Sequence, residues 1–368
     1  MSNVTRVLHA VGSMNRGGQE TFIMNVYRNI DRKKLQFDFL LNNPQKCDYE
    51  DEITAMGGII YRIPRRFPNY FAHLRALDNF MKNHRYYGVV HQHANSCSAI
   101  SSLIYAKKYK VNKIVFHSHS SKPDAGIIPI IFNFIYKPRI SKYATHYFAC
   151  SDSAADNLFG KYIGKSEIRI IRNAIDSERY AIDDVVRTKI RMDFGFGSKY
   201  VIGHVGRFSR EKNHSFLLDV FRAVHNANPD TVLLLVGDGE LRGDITEKVK
   251  SINLENHVIF TGIRSDIPDL LFAMDVLLFP SLWEGLGMVL IEAQASGLHC
   301  IVSDTVPKEA QATELLEYVS LRESASSWAD SVLKYVGVHE RQDMQCEIKN
   351  AGFSIGEVAL ALEQFYTE

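Results

Sequence analysis

The stretch that decides the fold reads Ser281-Leu282-Trp283-Glu284-Gly285-Leu286-Gly287-Met288-Val289-Leu290-Ile291-Glu292. The apolar run at 276–279 just before it stops at Pro280, the pattern of a buried strand that ends in a turn. Glycines punctuate the turn, and an apolar helix is predicted to begin near Gly287. Glu284 then sits in the loop before the helix. Glu292 sits about five residues inside it, roughly 7–8 Å along the axis. Free backbone N–H groups at such a helix end attract phosphate. Carboxylates on either side can accept hydrogen bonds from hydroxyls. A phosphate flanked by two polyols is the shape of a nucleoside-diphosphate sugar.

Short apolar runs alternate with helix-length segments on either side of this stretch. Strands are predicted at 5–12, 37–41, 57–63, 88–93, 113–118 and 146–150, with helices at 19–30, 74–83, 97–107 and 125–136. The pattern then resets. A short strand at 168–171 and the turn Asn173-Ala174-Ile175-Asp176 lead into a polar stretch with Asp183, Asp184, Arg187, Lys189 and Arg191. A second series has strands at 200–206, 231–236, 257–261, 275–279 and 299–302. This βα repetition implies two doubly wound α/β domains with mostly parallel sheets. The strand ends of such domains, at a shared cleft, are where ligands bind. The expected division is 1–172, 173–345 and a helical tail, 346–368, packing back toward the N-terminal domain.

The chain has 368 residues and a formal net charge of +1, with 46% hydrophobic and 23% charged residues. No global field argues for nucleic acid. Five cysteines, Cys47, Cys97, Cys150, Cys300 and Cys346, show no CxxC spacing, which speaks against a disulfide framework or zinc site. No signal peptide and no membrane-length apolar run are visible. The segment 125–136, broken by Pro129, reads as a buried or interfacial helix. The expectation is a cytoplasmic protein, peripheral at the inner face of the cell membrane. Arg62, Arg65 and Arg66 lie beside Phe67, Tyr70 and Phe71, and Lys107, Lys108 and Lys110 form a second group. Either a solvated face or contact with an anionic substrate or membrane accounts for them.

Several strand ends carry candidate ligand residues. Gly17-Gly18 joins the first strand to its helix, where adjacent glycines permit close approach and positive φ. Gly206-Arg207 ends the first strand of the second series, and Lys212 follows. Arg207 can offer a planar fork to a pyrophosphate and Lys212 a mobile point charge. Gly262 leaves room for a flat group beside the backbone at Ile263; a tight turn accounts equally well for Gly237 and Gly239. His91 and His93 alternate on one strand, as do His117 and His119 on another, so each pair shares a face. With no obvious carboxylate or cysteine partner, they read as packed or cleft-lining groups rather than metal ligands, and His119 is the outermost.

Together these residues resemble the retaining GT-B glycosyltransferases of family 4, also named glycosyltransferase group 1. The resemblance covers nearly the whole chain. It is carried by the E-x7-E pattern of Glu284 and Glu292, by Gly206-Arg207-Phe208 with Lys212-Asn213, and by Gly17-Gly18 with Glu20. Asn173-Ala174-Ile175-Asp176 departs from the family's N-G-[IV]-D turn at Ala174. The overall pattern is similar to enzymes that build bacterial exopolysaccharide or capsule repeat units.

The resemblance implies a GT-B fold, two Rossmann-like domains facing a central cleft. It implies a hexosyltransferase-type activity (EC 2.4.-.-) that uses a nucleoside-diphosphate sugar, UDP being the expected nucleotide. The acceptor would be a saccharide or a polyprenyl-diphosphate-linked saccharide. No cofactor and no metal are implied, and no nucleic-acid partner. Glu292 would hold the ribose hydroxyls, and Glu284 the donor sugar. Arg207 and Lys212 would neutralise the departing diphosphate. The backbone of Gly285, Leu286, Gly287, Met288 and Val289 would bind the distal phosphate. Gly17 and Gly18 would approach the diphosphate, Gly262 and Ile263 the base, and His119 a sugar hydroxyl. Another GT-B reaction, such as epimerisation or phosphorolysis, and a non-catalytic nucleotide-sugar binder remain alternatives.

Overall fold

Parallel strands are buried on both faces, so they form where apolar runs are continuous rather than alternating. The protein is described here by a computed structural model covering residues 4–120, 126–337 and 340–368. The chain divides into two compact units, Met1–Ala174 with Ser354–Glu368, and Ile175–Phe353.

The first unit holds β1 (Thr5–Val11), β2 (Leu35–Leu41), β3 (Ile60–Arg62), β4 (Val89–Ala94), β5 (Lys113–Ser118), β6 (His146–Ala149) and β7 (Ile168–Ile170). They form one sheet in the order β3-β2-β1-β4-β5-β6-β7, parallel throughout. The short run expected to follow the reset is therefore the edge strand of this sheet, with Tyr147 paired to Ile168. One core covers each sheet face.

The tail does not stay together. The helix Gln345–Asn350 buries Ile348 in the second unit. The helix Ile355–Thr367 packs in the first unit against the helix Gly18–Asn29 and against β1 and β2. Ile355, Ala359, Leu362 and Tyr366, spaced as one helical stripe, are its buried residues.

The second unit holds β8 (Tyr200–Val205), β9 (Thr231–Val236), β10 (Val258–Gly262), β11 (Val276–Phe279), β12 (Cys300–Ser303) and β13 (Leu316–Val319). Its order is β10-β9-β8-β11-β12-β13, also parallel. Here β13 is an addition to the strands read from the sequence; it is short, and only Leu316 is fully buried. The polar stretch at the boundary is a helix, Asp184–Asp193. Asp183 caps it by accepting from the N–H groups of Val185 and Val186 at 2.9 and 3.0 Å. Arg187 and Arg191 reach Asp275 at 2.5 and 3.0 Å, and Val201 N–H donates to the same carboxylate at 2.7 Å. Two charges of the polar stretch, Arg187 and Arg191, thus clamp this helix to the sheet.

Both sheets follow the doubly wound order, in which the chain turns back after three strands. The reversal sets β1 beside β4 and β8 beside β11. Crossovers diverge at these two switch points, and ligands bind there.

Candidate active site

In the second unit the switch point joins the two sequence segments that carry the candidate residues. The end of β8 delivers Gly206 and Arg207, and a short turn, Arg210–Lys212, follows. The neighbouring β11 delivers Pro280 to Gly287. The two loops are tied together: Leu282 N–H donates to the Glu211 carbonyl at 2.7 Å, and Asn213 Nδ2 to the Pro280 carbonyl at 3.1 Å. Asn213 is left-handed, with φ of +54°, a conformation that asparagine tolerates.

This bracing sets Lys212 Nζ 2.6 Å from Glu284 Oε1, with the two side chains only 15% and 10% exposed. Lys212 Nζ also lies 4.6 Å from the centre of the Phe279 ring. A desolvated pair of this kind is held by its geometry, and loss of one partner strands the other's charge. The structure thus couples two residues that the sequence reading assigned to separate parts of the donor. Glu284 keeps its second oxygen, and Lys212 two further N–H bonds, for other partners. Arg207 is placed differently. It is 72% exposed and pairs with Glu240 at 3.2 Å.

The helix Met288–Ala295 starts at Gly287, whose φ of +77° and ψ of 63° are left-handed. No side chain caps this end. Gly285, Leu286, Gly287, Met288 and Val289 form the bend and first turn, where helix N–H groups lack intrahelical acceptors. Glu292 lies one turn further in. Burial pushes its carboxyl up from the usual range, while a hydrogen bond from Tyr180 opposes that shift. Tyr180 ends the 3-10 turn Ser177–Tyr180, just beyond Asn173-Ala174-Ile175-Asp176, and burial raises its own pKa. It was absent from the sequence reading. The signal that could have found it is an aromatic hydroxyl four residues after the turn's aspartate.

The glycines fall into two kinds. Gly237 has φ of +131°, and a Cβ there would lie 2.1 Å from the Gly206 carbonyl oxygen; at Gly239 it would lie 2.6 Å from that of Phe208. These two let the turn after β9 close on the end of β8. Gly262, with φ of +71°, has open space where a Cβ would stand, and Ile263 beside it is 81% exposed.

In the first unit, Gly17 caps the helix Gly18–Asn29 with an extended φ of −147°. Neither Gly17 nor Gly18 uses the left-handed region, contrary to the role expected for them. A Cβ at Gly17 would lie 2.5 Å from a Glu20 carboxylate oxygen, the end of a flexible side chain that can turn away, whereas Gly18 faces open space.

His91 and His93 on β4, His117 on β5 and His119 just past its end gather together, and strand register adds a fifth histidine. His9 on β1 pairs with His91, and His93 with His117. Two hydrogen-bonded lines result. One runs from His9 Nδ1 to His93 Nε2 at 2.9 Å and from His93 Nδ1 to His119 Nε2 at 2.8 Å. The other links the Tyr366 hydroxyl to His91 Nδ1 at 2.5 Å and His91 Nε2 to His117 Nδ1 at 3.1 Å. Burial pushes His9 and His119 down to about 3, and the other three well below the ordinary value. Neutral imidazole carries one N–H and one lone pair. The tautomer of His119 is therefore tied to those of His93 and His9. Its Nδ1 has no partner among the described residues and is left to donate or accept as the line dictates.

Two triplets, His9/His91/His93 and His93/His117/His119, bring ring nitrogens within 4.8 Å of one another. Among the described residues no carboxylate or thiolate joins either triplet, and ring-to-ring hydrogen bonds already use most of these nitrogens. Ser121, Lys122 and Ala125, near the end of β5 and the start of the next helix, lie outside the described residues.

Comparison with known proteins identifies the family. Residues 16–179 match the family described as Glycosyltransferase Family 4, and residues 186–344 the one described as Glycosyl transferases group 1. The putative glycosyltransferase EpsF of Bacillus subtilis (strain 168) is 35% identical over 344 residues, covering 90% of this chain and 88% of the relative. The UDP-Gal:alpha-D-GlcNAc-diphosphoundecaprenol alpha-1,3-galactosyltransferase of Escherichia coli is 35% identical over 149 residues, 39% of this chain and 38% of that protein. The crystal structure of Anabaena Alr3699/HepE in complex with UDP superposes with a TM-score of 0.73 at 18% identity, over 99% of this chain and 96% of that one. The chain belongs to the GT-B glycosyltransferases of family 4, group 1, enzymes that move a sugar from a nucleoside-diphosphate sugar to an acceptor.

Proposed function

We propose that this enzyme transfers a sugar, with retention at the anomeric carbon, from a UDP-sugar to a saccharide or polyprenyl-diphosphate-linked saccharide in cell-surface polysaccharide synthesis, without a divalent metal. The observation that carries the reading is the buried Lys212–Glu284 pair beside the uncapped helix end at Gly287. Leaving-group chemistry asks for such a site. Breaking the bond from the anomeric carbon to phosphate oxygen adds negative charge to the diphosphate. Lys212, Arg207 and the helix N–H groups of Met288 and Val289 oppose that charge. The Glu284 oxygen not bonded to Lys212 accepts a hydrogen bond from a donor-sugar hydroxyl. Glu292, oriented by Tyr180, accepts from the ribose. As the acceptor oxygen bonds to the anomeric carbon on the face the phosphate leaves, its proton passes to a departing phosphate oxygen.

UDP is supported by the donor in the name of the Escherichia coli relative, and the lipid-linked acceptor by the diphosphoundecaprenol in the same name. The first unit's share, Gly17 and Gly18 toward the diphosphate and His119 Nδ1 toward a sugar hydroxyl, follows the family pattern. Titration with UDP, GDP and ADP, followed by transfer to a diphosphoundecaprenol-linked acceptor in excess chelator, tests the reading. NMR of the product's anomeric proton reports the stereochemistry. An inverted product, preference for GDP, or activity that returns only with manganese or magnesium would each overturn the corresponding part.

A further inference from the structure

The helix Ile127–Tyr136, with the sequence Ile-Ile-Pro-Ile-Ile-Phe-Asn-Phe-Ile-Tyr, contains no charged residue and no fully buried one. Its inward stripe is settled. Phe132 packs edge-on against Phe67 and Tyr70, and Asn133 Oδ1 accepts from Cys97 N–H at 2.8 Å. The opposite stripe is equally apolar and open. Ile127 is 67% exposed, Ile130 60% and Phe134 84%, and Phe71, from the segment packed against this helix, is 82% exposed. A helix that is hydrophobic all round belongs in an apolar surround, and a contiguous exposed patch of this kind marks an interaction surface.

Charge identifies the partner. The two segments that meet at Phe132, residues 60–76 and 126–143, hold seven lysines and arginines and no aspartate or glutamate, in a chain whose formal net charge is only +1. Exposed cations border the open stripe. Arg75 lies one helical turn from Phe71, and Arg139 bonds back to the Ile135 carbonyl at the end of the apolar helix. Lys142 follows it, also exposed. An apolar stripe whose exposed charged neighbours, among the described residues of these two segments, are cations fits the headgroup boundary of an anionic bilayer, with the rings and branched chains in the acyl layer and the cations at the phosphates. Among the described residues no helix is long and apolar enough to cross a membrane, so the contact would be with one leaflet.

We propose that the helix Ile127–Tyr136, with Phe71, is a monotopic docking surface for an anionic phospholipid leaflet. The proposal uses none of the residues assigned to the donor, and its test does not depend on them. The full chain is floated with phosphatidylglycerol-containing vesicles and with pure phosphatidylcholine vesicles, at low and high salt. Light scattering records its mass in solution across a range of concentration. The wild-type chain should bind the anionic vesicles and remain monomeric. The Ile130→Ser/Phe134→Ser chain should lose about tenfold or more of its partitioning at either salt concentration. The Arg139→Gln/Lys142→Gln chain should lose binding chiefly at low salt, where charge attraction is unscreened. UDP affinity and melting temperature should be unchanged in both variants, which separates this surface from the reaction assigned above. Absence of wild-type binding to anionic vesicles, or binding indifferent to Ile130 and Phe134, would overturn the proposal. So would a wild-type dimer abolished by the Ile130→Ser/Phe134→Ser change, because a second copy would then be the partner.

Discussion

Lowering the pH should unfold the first unit before the second, because its core is built around histidines that fold neutral. His9, His91, His93 and His117 are each no more than 3% exposed, and burial depresses all four from the ordinary value of 6.5. Unfolding returns them to that value, so between about pH 3 and 6.5 the unfolded chain binds more protons than the folded one. Stability therefore falls as pH drops through this window and is fully present above it. Between pH 7.5 and 5.5 the loss per group is about 1.4 kcal/mol, or about 5 kcal/mol for four. Glu20, raised by burial, works in the opposite sense, but it is one group against four. In the second unit only His204 and His214 are comparable, His214 being pushed down to about 4, so the loss there is about 3 kcal/mol. The first unit's loss is comparable to the whole stability of an ordinary domain, about 5–15 kcal/mol. Hydrogen exchange at the two pH values, read separately in β1, β4 and β5 and in β8, β9 and β11, measures both. Slow amides of the first sheet should lose protection by more than a thousandfold, and those of the second by less. Equal losses in the two sheets, or a change under tenfold in the first, would refute the reasoning.

Other substitutions separate the roles in the second unit. Glu292→Gln should weaken UDP binding by about 1.5–3 kcal/mol in calorimetry, whereas Glu284→Gln should spare UDP affinity and damage transfer. Lys212→Ala should lower both turnover and stability, the latter by about 3–5 kcal/mol in chemical denaturation, because Glu284 is left buried without its partner. Arg207→Ala should leave stability within about 1 kcal/mol, since its pair with Glu240 is solvent-exposed, and reduce kcat if the arginine serves the diphosphate. Gly237→Ala should cost about 2–4 kcal/mol in the same denaturation assay, combining left-handed strain with a clash at Gly206.

What the sequence showed and what it hid divide along physical lines. Buried parallel strands read as apolar runs, so β5 and β9 were located to the residue and most others to within two. The half-buried β13 has no such run, and Glu317 in its middle disguises it. The polar stretch 183–191 gives no sign of its packing because its partner, Asp275, lies more than eighty residues away. The pairing of Lys212 with Glu284 was hidden for the same reason. Both residues were visible as candidates, but only the adjacency of β8 and β11 brings them together. His9 escaped notice because the alternation that exposed His91 and His93 is internal to one strand, whereas His9 joins them only through the register of β1 with β4. Nor does the last helix announce locally which unit it will cover. Its apolar stripe specifies that it packs, not where.

A common arrangement recurs in both units and explains why polar groups gather where they do. His9 is the fifth residue of β1, and His204 the fifth of β8, each the strand at which its sheet reverses. Each is buried, and each uses Nδ1 to reach the strand across the reversal: His9 to His93 on β4, His204 to the Leu278 carbonyl on β11 at 2.9 Å. Among the described residues each also keeps an unpartnered Nε2. Diverging crossovers leave the strand ends at this position less fully covered than elsewhere. An imidazole suits such a place. It fills apolar space when neutral, yet gives the end of the central strand a directed hydrogen bond to its neighbour. That bond fixes how the two strand ends lie against one another. In the second unit those strands lead into the loops that carry Lys212 and Glu284, and the bracing of these loops through Leu282 and Asn213 then sets the ion pair.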